Sequence, residues 1–333
     1  MATIKDIAKL AKVSTATVSR ILNNDTSLSV SENTRKRVIK IAENLNYIPV
    51  KRRNKSAQTI TKIGVIHWYS QKEELGDPYY VSITNGIEKE CINKGIEIVT
   101  IFKNNDEYIT SELNDLDGVI AIGKFSKEDV EKFSMYSPII VFVDSSPDEK
   151  KYDSVVIDFK KAMREVLGYL LSKGHNNIGF IGGREYVGAK REPIEDERET
   201  AYIEFMRSKG LYDINNVYIG RFTPEDGYRL MREAIKKGDL PTAFFIASDS
   251  MVIGAFSALY EANINVPKDV SIVGFNDIPN SRFLIPSLST VKVHTEFMGV
   301  TAVNLLLERL NDKRKISKKV VIPTELIIRE SSK

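Results

Sequence analysis

The segment Thr3-Ile4-Lys5-Asp6-Ile7-Ala8-Lys9-Leu10-Ala11-Lys12-Val13-Ser14-Thr15-Ala16-Thr17-Val18-Ser19-Arg20-Ile21-Leu22 decides the architecture of the N-terminal part. Ile4, Ile7, Ala8 and Ala11 recur at i, i+3, i+4 and i+7, one apolar stripe of a short helix. Lys12-Val13-Ser14 interrupts it, and Ser14 can cap a second helix to about Asn23 with Val18, Ile21 and Leu22 inward. A third helix is expected after Ser31, with Val38, Ile41, Ala42 and Leu45 inward and Arg35, Lys36, Arg37 and Lys40 outward. Two short helices across a tight turn, closed by a third, make a helix-turn-helix unit. Such a unit lays the start of its second helix in the DNA major groove. The outward face of that helix is Thr15, Ala16, Ser19 and Arg20. Methyl groups of Thr and Ala suit thymine, and an Arg fork suits guanine. Ser14, Ser31 and Thr34 stand near helix starts, where hydroxyls serve either as caps or as phosphate contacts.

Working outward, charge separates this head from the remainder. Residues 1–60 hold twelve Lys/Arg against four Asp/Glu, a net +8, so the rest of a chain of net +3 carries −5. A basic head on a slightly acidic body points to a polyanionic partner for the head alone. The 333 residues are enough for two or three domains, and 28% charged with 42% hydrophobic residues is ordinary globular composition. No apolar run reaches membrane-spanning length. The opening Met1–Asp6 lacks an apolar leader core, and Cys91 is the single cysteine, so a cytoplasmic location is expected. His67, His175 and His294 show no ligand spacing with carboxylates or cysteines, and no nucleophile elbow occurs. No metal, cofactor or enzymatic activity is expected.

The blocks Thr3–Ala8, Val13–Asn23 and Leu45-Asn46-Tyr47-Ile48-Pro49, with their spacing, resemble the head of LacI/GalR-family repressors. The resemblance implies base reading by Thr15, Ala16 and Arg20. It implies backbone contacts from Ser14, Thr17, Ser19, Asn23, Ser31, Thr34 and Tyr47. Two departures stand out. Lys12 occupies a turn position where the family usually has glycine, so a left-handed lysine is expected. In the joint Val50-Lys51-Arg52-Arg53-Asn54-Lys55-Ser56-Ala57, Ser56 stands where the family has a leucine that wedges into the minor groove. The expected joint therefore binds more by the charge of Arg52, Arg53 and Lys55 than by wedging. Operator affinity should then fall steeply with salt, and the slope should flatten in Arg53→Ala; a shallow slope indifferent to that change contradicts it.

Beyond residue 61, short β-branched runs alternate with helical patterns. Runs at 63–68, 96–102, 118–122 and 139–143 read as one set of strands; 155–157 leads to 178–181, 217–220, 243–247 and 271–275. Lys94-Gly95, Lys173-Gly174, Lys209-Gly210 and Lys237-Gly238 read as helix ends. Alternation of this kind builds parallel, doubly wound sheets. The fold class is thus α/β: a three-helix head plus a body of two lobes that resembles periplasmic binding proteins. The expected division is 1–49 head, 50–61 hinge and 62–333 ligand-binding and dimerisation body. The first lobe is expected over 62–160 and 290–321, the second over 161–289 and 322–333, with crossings near 158–163, 288–292 and 320–323.

A cleft between two such lobes is the place for a ligand. The resemblance places a hydroxyl-binding arginine at Arg198, against the plain reading of Glu195-Asp196-Glu197-Arg198-Glu199 as surface charge. Ser248 falls at a family ligand position, and Asp249 reads equally as an N-cap. Asn276 stands where many sugar-responsive members have Asp, so it cannot pair ionically with Arg198. Phe222 is the candidate stacking plate, Asp144 ends a strand facing the cleft, and Tyr79 and Tyr80 follow the Asp77-Pro78 helix start. Asp77–Tyr80, Phe180–Gly183, Phe275-Asn276-Asp277-Ile278-Pro279 and 289–299 most resemble galactoside-responsive members, the evolved β-galactosidase repressor among them. The expected partners are near-palindromic double-stranded operator DNA, galactose or a galactoside as inducer, and a second copy of the chain. With four residues after Arg329 and no heptad tail, a homodimer is expected. Two rivals remain at this point: a transport binding protein, which gives the head no purpose, and a regulator whose ligand or phosphoprotein partner acts as corepressor.

Overall fold

The computed structural model describes residues 3–22, 30–45, 62–74, 76–104, 107–108, 113 and 115–333. Helix α1 (Ile4–Ala11) starts from a reciprocal cap: Thr3 Oγ1 accepts from the Asp6 N–H, and the Asp6 carboxylate accepts from the Thr3 N–H at 2.8 Å. It ends on Lys12 at φ 52°, the left-handed position expected of that lysine. Helix α2 (Thr15–Leu22) is capped by Ser14, whose Oγ accepts from the Thr17 N–H at 3.0 Å. Helix α3 (Glu32–Asn44) is capped by Ser31 through the Thr34 N–H at 3.3 Å. Ile7, Ala8, Ala11, Val18, Ile21, Val38 and Ala42 close into one small core. The stripes read from sequence are the faces that meet, because burying each branched side chain contributes roughly 1.5–3 kcal/mol.

The body opens with β1 (Lys62–His67), α4 (Gln71–Glu74), α5 (Pro78–Lys94), β2 (Glu97–Asn104), β3 (Glu107–Tyr108) and β4 (Gly118–Ile122). Next come α6 (Lys127–Tyr136), β5 (Ile140–Val143), β6 (Asp153–Ile157), α7 (Phe159–Ser172) and β7 (Ile178–Gly183). A hairpin of β8 (Glu185–Val187) and β9 (Glu192–Ile194) precedes α8 (Glu197–Ser208), β10 (Val217–Gly220), α9 (Pro224–Lys237) and β11 (Ala243–Ile246). The chain finishes with α10 (Asp249–Glu261), β12 (Ser271–Asn276), β13 (Ser289–Lys292), α11 (Thr295–Asn311), β14 (Lys319–Ile322) and β15 (Glu325–Ile327).

Two sheets result, one ordered β14-β6-β5-β4-β1-β2-β3 and the other β10-β7-β11-β12-β13-β15. Within them only β2–β3 and β13–β15 are antiparallel. Strands β4, β5, β7, β11 and β12 are buried along their whole length, as parallel strands covered by helices on both faces must be. Helix α5 ends at Gly95 (φ 67°) and α9 at Gly238 (φ 88°), where only glycine is unstrained. No helix of the described residues is long and apolar enough to cross a membrane.

The chain passes between the sheets three times. The first passage follows β6, at Asp158. The second was expected at 288–292, with a lobe boundary at 290, but β13 pairs with β12 (Lys292 opposite Asn276) and so lies in the second sheet. The cause is polar: Ser289 and Thr290 are fully buried and hydrogen-bonded to Arg329, Ser331 and Asp249 of that lobe. The passage therefore falls at 293–294, after which α11 packs on α5. Strand β14 stays paired with β6 through Ile322, so the third passage is 323–324, at the end of the expected 320–323.

Candidate functional site

Two surfaces carry the expected chemistry. On the head, Ser14, Thr15, Ala16, Arg20 and Ser31 are exposed, while Thr17, Ser19 and Thr34 are half-buried. The hydroxyls of Ser14 and Thr17 lie 2.8 Å apart, and those of Ser31 and Thr34 lie 2.9 Å apart. Each pair therefore crowns a helix start, where N–H groups and dipole favour an anion. Lys36, Arg37 and Lys40 are exposed on α3. Asn23, Tyr47, Arg52, Arg53 and the joint with Ser56 lie outside the described residues.

The second surface is the cleft where the carboxyl ends of both sets of parallel strands converge. Tyr79, Tyr80, Asp144, Arg198, Phe222, Ser248 and Asn276 line one cavity there, joined by Tyr69, Asp77, Lys124, Phe159 and Glu185. Arg198, in the first turn of α8, is 8% exposed and Asp196 6%, so the charge run around them is not simply surface. Asp196 caps α8 by accepting the Arg198 N–H, and its carboxylate takes Nε at 2.9 Å and Nη2 at 2.6 Å. Nη1 donates to the Ala247 carbonyl at 2.7 Å. Three of the five guanidinium N–H groups are thus engaged, leaving one on each terminal nitrogen for a bound molecule. Burial opposes the Asp196 charge, but the adjacent guanidinium and its hydrogen bonds outweigh it and hold the carboxyl down at about 2. The anionic partner that Asn276 cannot supply comes from Asp196.

Phe222 lies 4.8 Å from the guanidinium carbon, with Phe159 at 5.3 Å and Phe275 at 5.5 Å. The ring expected to stack on a sugar is thus also part of the aromatic cradle that fixes the arginine. Tyr79 and Tyr80 donate their hydroxyls to the two oxygens of Asp144, each at 2.9 Å. Burial raises the Asp144 carboxyl above its ordinary range, against the nearby Lys124 charge. Asp77, the cap of α5, is pushed up to about 6, again chiefly by burial.

Sequence reading missed a clasp across the cleft. Tyr69 and Lys124 follow β1 and β4 of the first sheet, and both donate to Glu185 of the second lobe's hairpin, each at 2.9 Å. Their signal was available, since each first-lobe residue stands just past the carboxyl end of a parallel strand, the position that identified Asp144. Asp196 could also have been found, as an acidic residue immediately before a helix.

Asp249, read equally as an N-cap and as a ligand contact, neither caps α10 nor lines the cavity. It is fully buried, and its carboxylate accepts from the Thr290 hydroxyl at 2.7 Å, the Ser281 hydroxyl at 2.7 Å and the Ile278 N–H at 3.0 Å. The neighbouring Ser248 caps α10 and lines the cavity instead. Asp249→Ala strands three buried donors, at about 1–3 kcal/mol each if unrelieved. Thermal unfolding should show a loss of several kcal/mol, while calorimetry on the folded fraction should give unchanged effector affinity. Burial raises the Asp249 carboxyl from 3.8 to about 7. Between those values the folded chain holds more protons than the unfolded one, so this group's contribution to stability grows as pH falls through that window.

The cavity encloses about 30 Å³, room for little more than one or two waters. Among the described residues, three acidic side chains line the cavity, Asp77, Asp144 and Glu185, against two basic ones, Lys124 and Arg198, the second already paired with Asp196. Such a setting favours a neutral, hydroxyl-rich molecule over an anion.

Comparisons with known proteins agree in extent. Residues 3–50 match the model of bacterial regulatory proteins of the lacI family, and residues 167–332 match a periplasmic binding protein-like domain. The HTH-type transcriptional repressor MelR of Bacillus subtilis (strain 168) is 47% identical, with 99% of this chain and 97% of that protein covered. The HTH-type transcriptional regulator GalR of Lacticaseibacillus casei is 41% identical over 100% of both chains. Among solved structures, a transcriptional regulator CelR–cellobiose complex superposes with a TM-score of 0.72 at 26% identity, covering 99% of this chain and 100% of that one.

Proposed function

The chain belongs to the lacI family of bacterial regulatory proteins, and from that premise we propose that it represses a sugar-utilisation operon and is released by galactose or a galactoside. One observation carries the effector reading: Asp196 locks the Arg198 guanidinium so that one N–H on each terminal nitrogen is left for a ligand. Two N–H groups on neighbouring nitrogens suit adjacent hydroxyls, and Asp144 and Asn276 offer oxygen acceptors in the same cavity. Phe159 and Phe222 supply apolar plates for the C–H face of a ring. The excess of carboxylates disfavours a phosphorylated sugar. The galactoside assignment is supported by the sequence blocks shared with galactoside-responsive members and by identity to MelR and GalR.

On DNA, Thr15 and Ala16 present methyl groups and Arg20 a fork to base edges, while Ser14, Thr17, Ser19, Ser31 and Thr34 hold the backbone. Asn23 and Tyr47 join the backbone contacts, with Arg52 and Arg53 at the minor groove. Two heads of a homodimer match the two halves of a near-palindrome. The clasp already holds the lobes together around about 30 Å³, so a sugar enters by parting Glu185 from Tyr69 and Lys124, and the lobes settle over it around Arg198 and Asp144. The first lobes shift against each other, and the heads lose their register. Only a ligand that binds the released state more tightly can drive this.

An operator titration by fluorescence anisotropy, with and without candidate sugars, tests the proposal. Galactose or a galactoside should weaken operator binding, and galactose phosphate should have no effect. Tighter operator binding with the sugar would make it a corepressor; no effect of any galactoside alongside release by another compound overturns the effector class.

A further inference from the structure

The β8–β9 hairpin joins neither main sheet and forms a two-stranded sheet of its own. It leaves the second lobe just past Gly183, the end of β7. It returns at Asp196, the cap of α8 that locks Arg198. Both of its feet therefore stand at the cleft, and its length reaches across to the first lobe.

The hairpin meets that lobe at its root and at its tip. At the root, Glu185 accepts from Tyr69 and Lys124, each at 2.9 Å. The Lys124 and Glu185 side chains are 19% and 13% exposed, so their charges find little water when parted. At the tip, Gly188 turns at φ 66° and lies directly on Ser126, the cap of α6. A Cβ on Gly188 would stand 2.9 Å from the Ser126 Cβ, closer than real Cβ atoms come. Next to it, the Lys190 ammonium is 3.8 Å from Glu128 in the first turn of α6. With root and tip seated, the lobes enclose about 30 Å³ around Arg198 and Asp144, too little for a hexose ring.

We propose that this hairpin is a strap that bolts the two lobes shut, so that the effector competes with it for the cleft. The strap thereby sets the effector concentration at which the protein responds. A ring larger than the cavity holds the lobes further apart than the seated root and tip allow. Seated strap and bound sugar therefore exclude each other. The apparent Kd is then the intrinsic Kd divided by the fraction of molecules with the strap unseated. The inference rests on the reading of the cleft as a galactoside site, but the strap can be tested without a sugar.

Trp68 is the single tryptophan and is 5% exposed. Its ring lies 4.9 Å from that of Tyr69, and the Lys124 ammonium is 5.8 Å from its centre. Acrylamide quenching of Trp68 in the full chain therefore reads the clasp directly, and calorimetry with galactose reads its effect on binding. Neither Gly188 nor Ser126 lines the cavity, so changes at the tip leave the sugar contacts in place. Gly188→Ala sets a Cβ against Ser126 and unseats the tip; its left-handed backbone strains the hairpin equally, seated or not. Trp68 should become easier to quench, and the galactose Kd should fall at least about three-fold. Adding Ser126→Gly, which a helix cap tolerates, removes the opposing Cβ and should restore both values. Quenching or Kd unchanged in Gly188→Ala overturns the strap. A raised Kd also overturns it, because the hairpin would then be retaining bound sugar. So does failure of Ser126→Gly to restore the values, which places the effect in the hairpin's own backbone. If neither galactose nor its methyl glycosides bind, the galactoside reading falls, and the quenching series alone decides the strap.

Discussion

Arg198→Lys is expected to leave operator affinity intact and to remove the response to effector, giving a repressor that its sugar cannot release. The guanidinium does three things that an ammonium cannot do together. It holds Asp196 side-on through Nε and Nη2, it reaches the Ala247 carbonyl through Nη1, and it presents two further N–H groups to the ligand. Lysine retains the charge, so buried Asp196 keeps a counter-ion and the second lobe stays folded. Arg198→Ala is the poorer test, because an unpaired buried carboxylate costs about 3–5 kcal/mol of stability. Two hydrogen bonds from a charged donor contribute roughly 1.5–3 kcal/mol each, so the effector Kd should rise about 10²-fold or more. The head keeps its affinity because its core, centred on Ile7, Ala11, Val18 and Val38, is its own. Calorimetry reads the first effect and operator anisotropy the second. An effector Kd unchanged in Arg198→Lys removes the arginine from the site.

What the sequence made legible was local. The head follows from stripes three and four residues apart, and the body from β-branched runs ended by lysine–glycine pairs. Contacts between residues near in sequence decide both. The cleft was legible only where a single strand end or helix start placed a residue, as with Asp144, Arg198 and Asn276. Tyr69 and Lys124 stand at such strand ends too, but their pairing was not legible, because Glu185 is 116 and 61 residues away and a glutamate opening a hairpin has no distinguishing pattern. Asp249 shows the same limit in reverse. Its place at a helix start reads equally as a cap and as a ligand position, yet Thr290, 41 residues away, with Ser281 and the Ile278 N–H, holds it inward. The Thr290 contact, with those of Ser289 to Arg329 and Ser331, also holds β13 in the second sheet, so the crossing falls just past the expected residues. Both departures come from polar pairs far apart in sequence.

Arg20→Ala should cost operator specificity far more than general DNA affinity. The side chain is exposed on α2 beside Thr15 and Ala16, so its removal leaves the core of Val18 and Ile21 untouched. An Arg fork on guanine is worth roughly 1–3 kcal/mol, and a near-palindrome reads it twice, so the specific Kd should rise about 30-fold or more. Non-specific binding loses only one phosphate-range charge per head, which flattens the salt slope by about one unit each. Arg20→Lys separates the two contributions. It keeps the charge, hence the salt slope and the non-specific affinity, but it cannot bridge both guanine acceptors. Its specific affinity should fall nearly as far as that of Arg20→Ala. A guanine-to-adenine change at the contacted position should weaken the unaltered protein strongly and Arg20→Ala hardly at all, which assigns the contact to one base pair. If instead both variants lower specific and random-sequence binding by the same factor, Arg20 neutralises phosphate and the base reading falls to Thr15 and Ala16 alone.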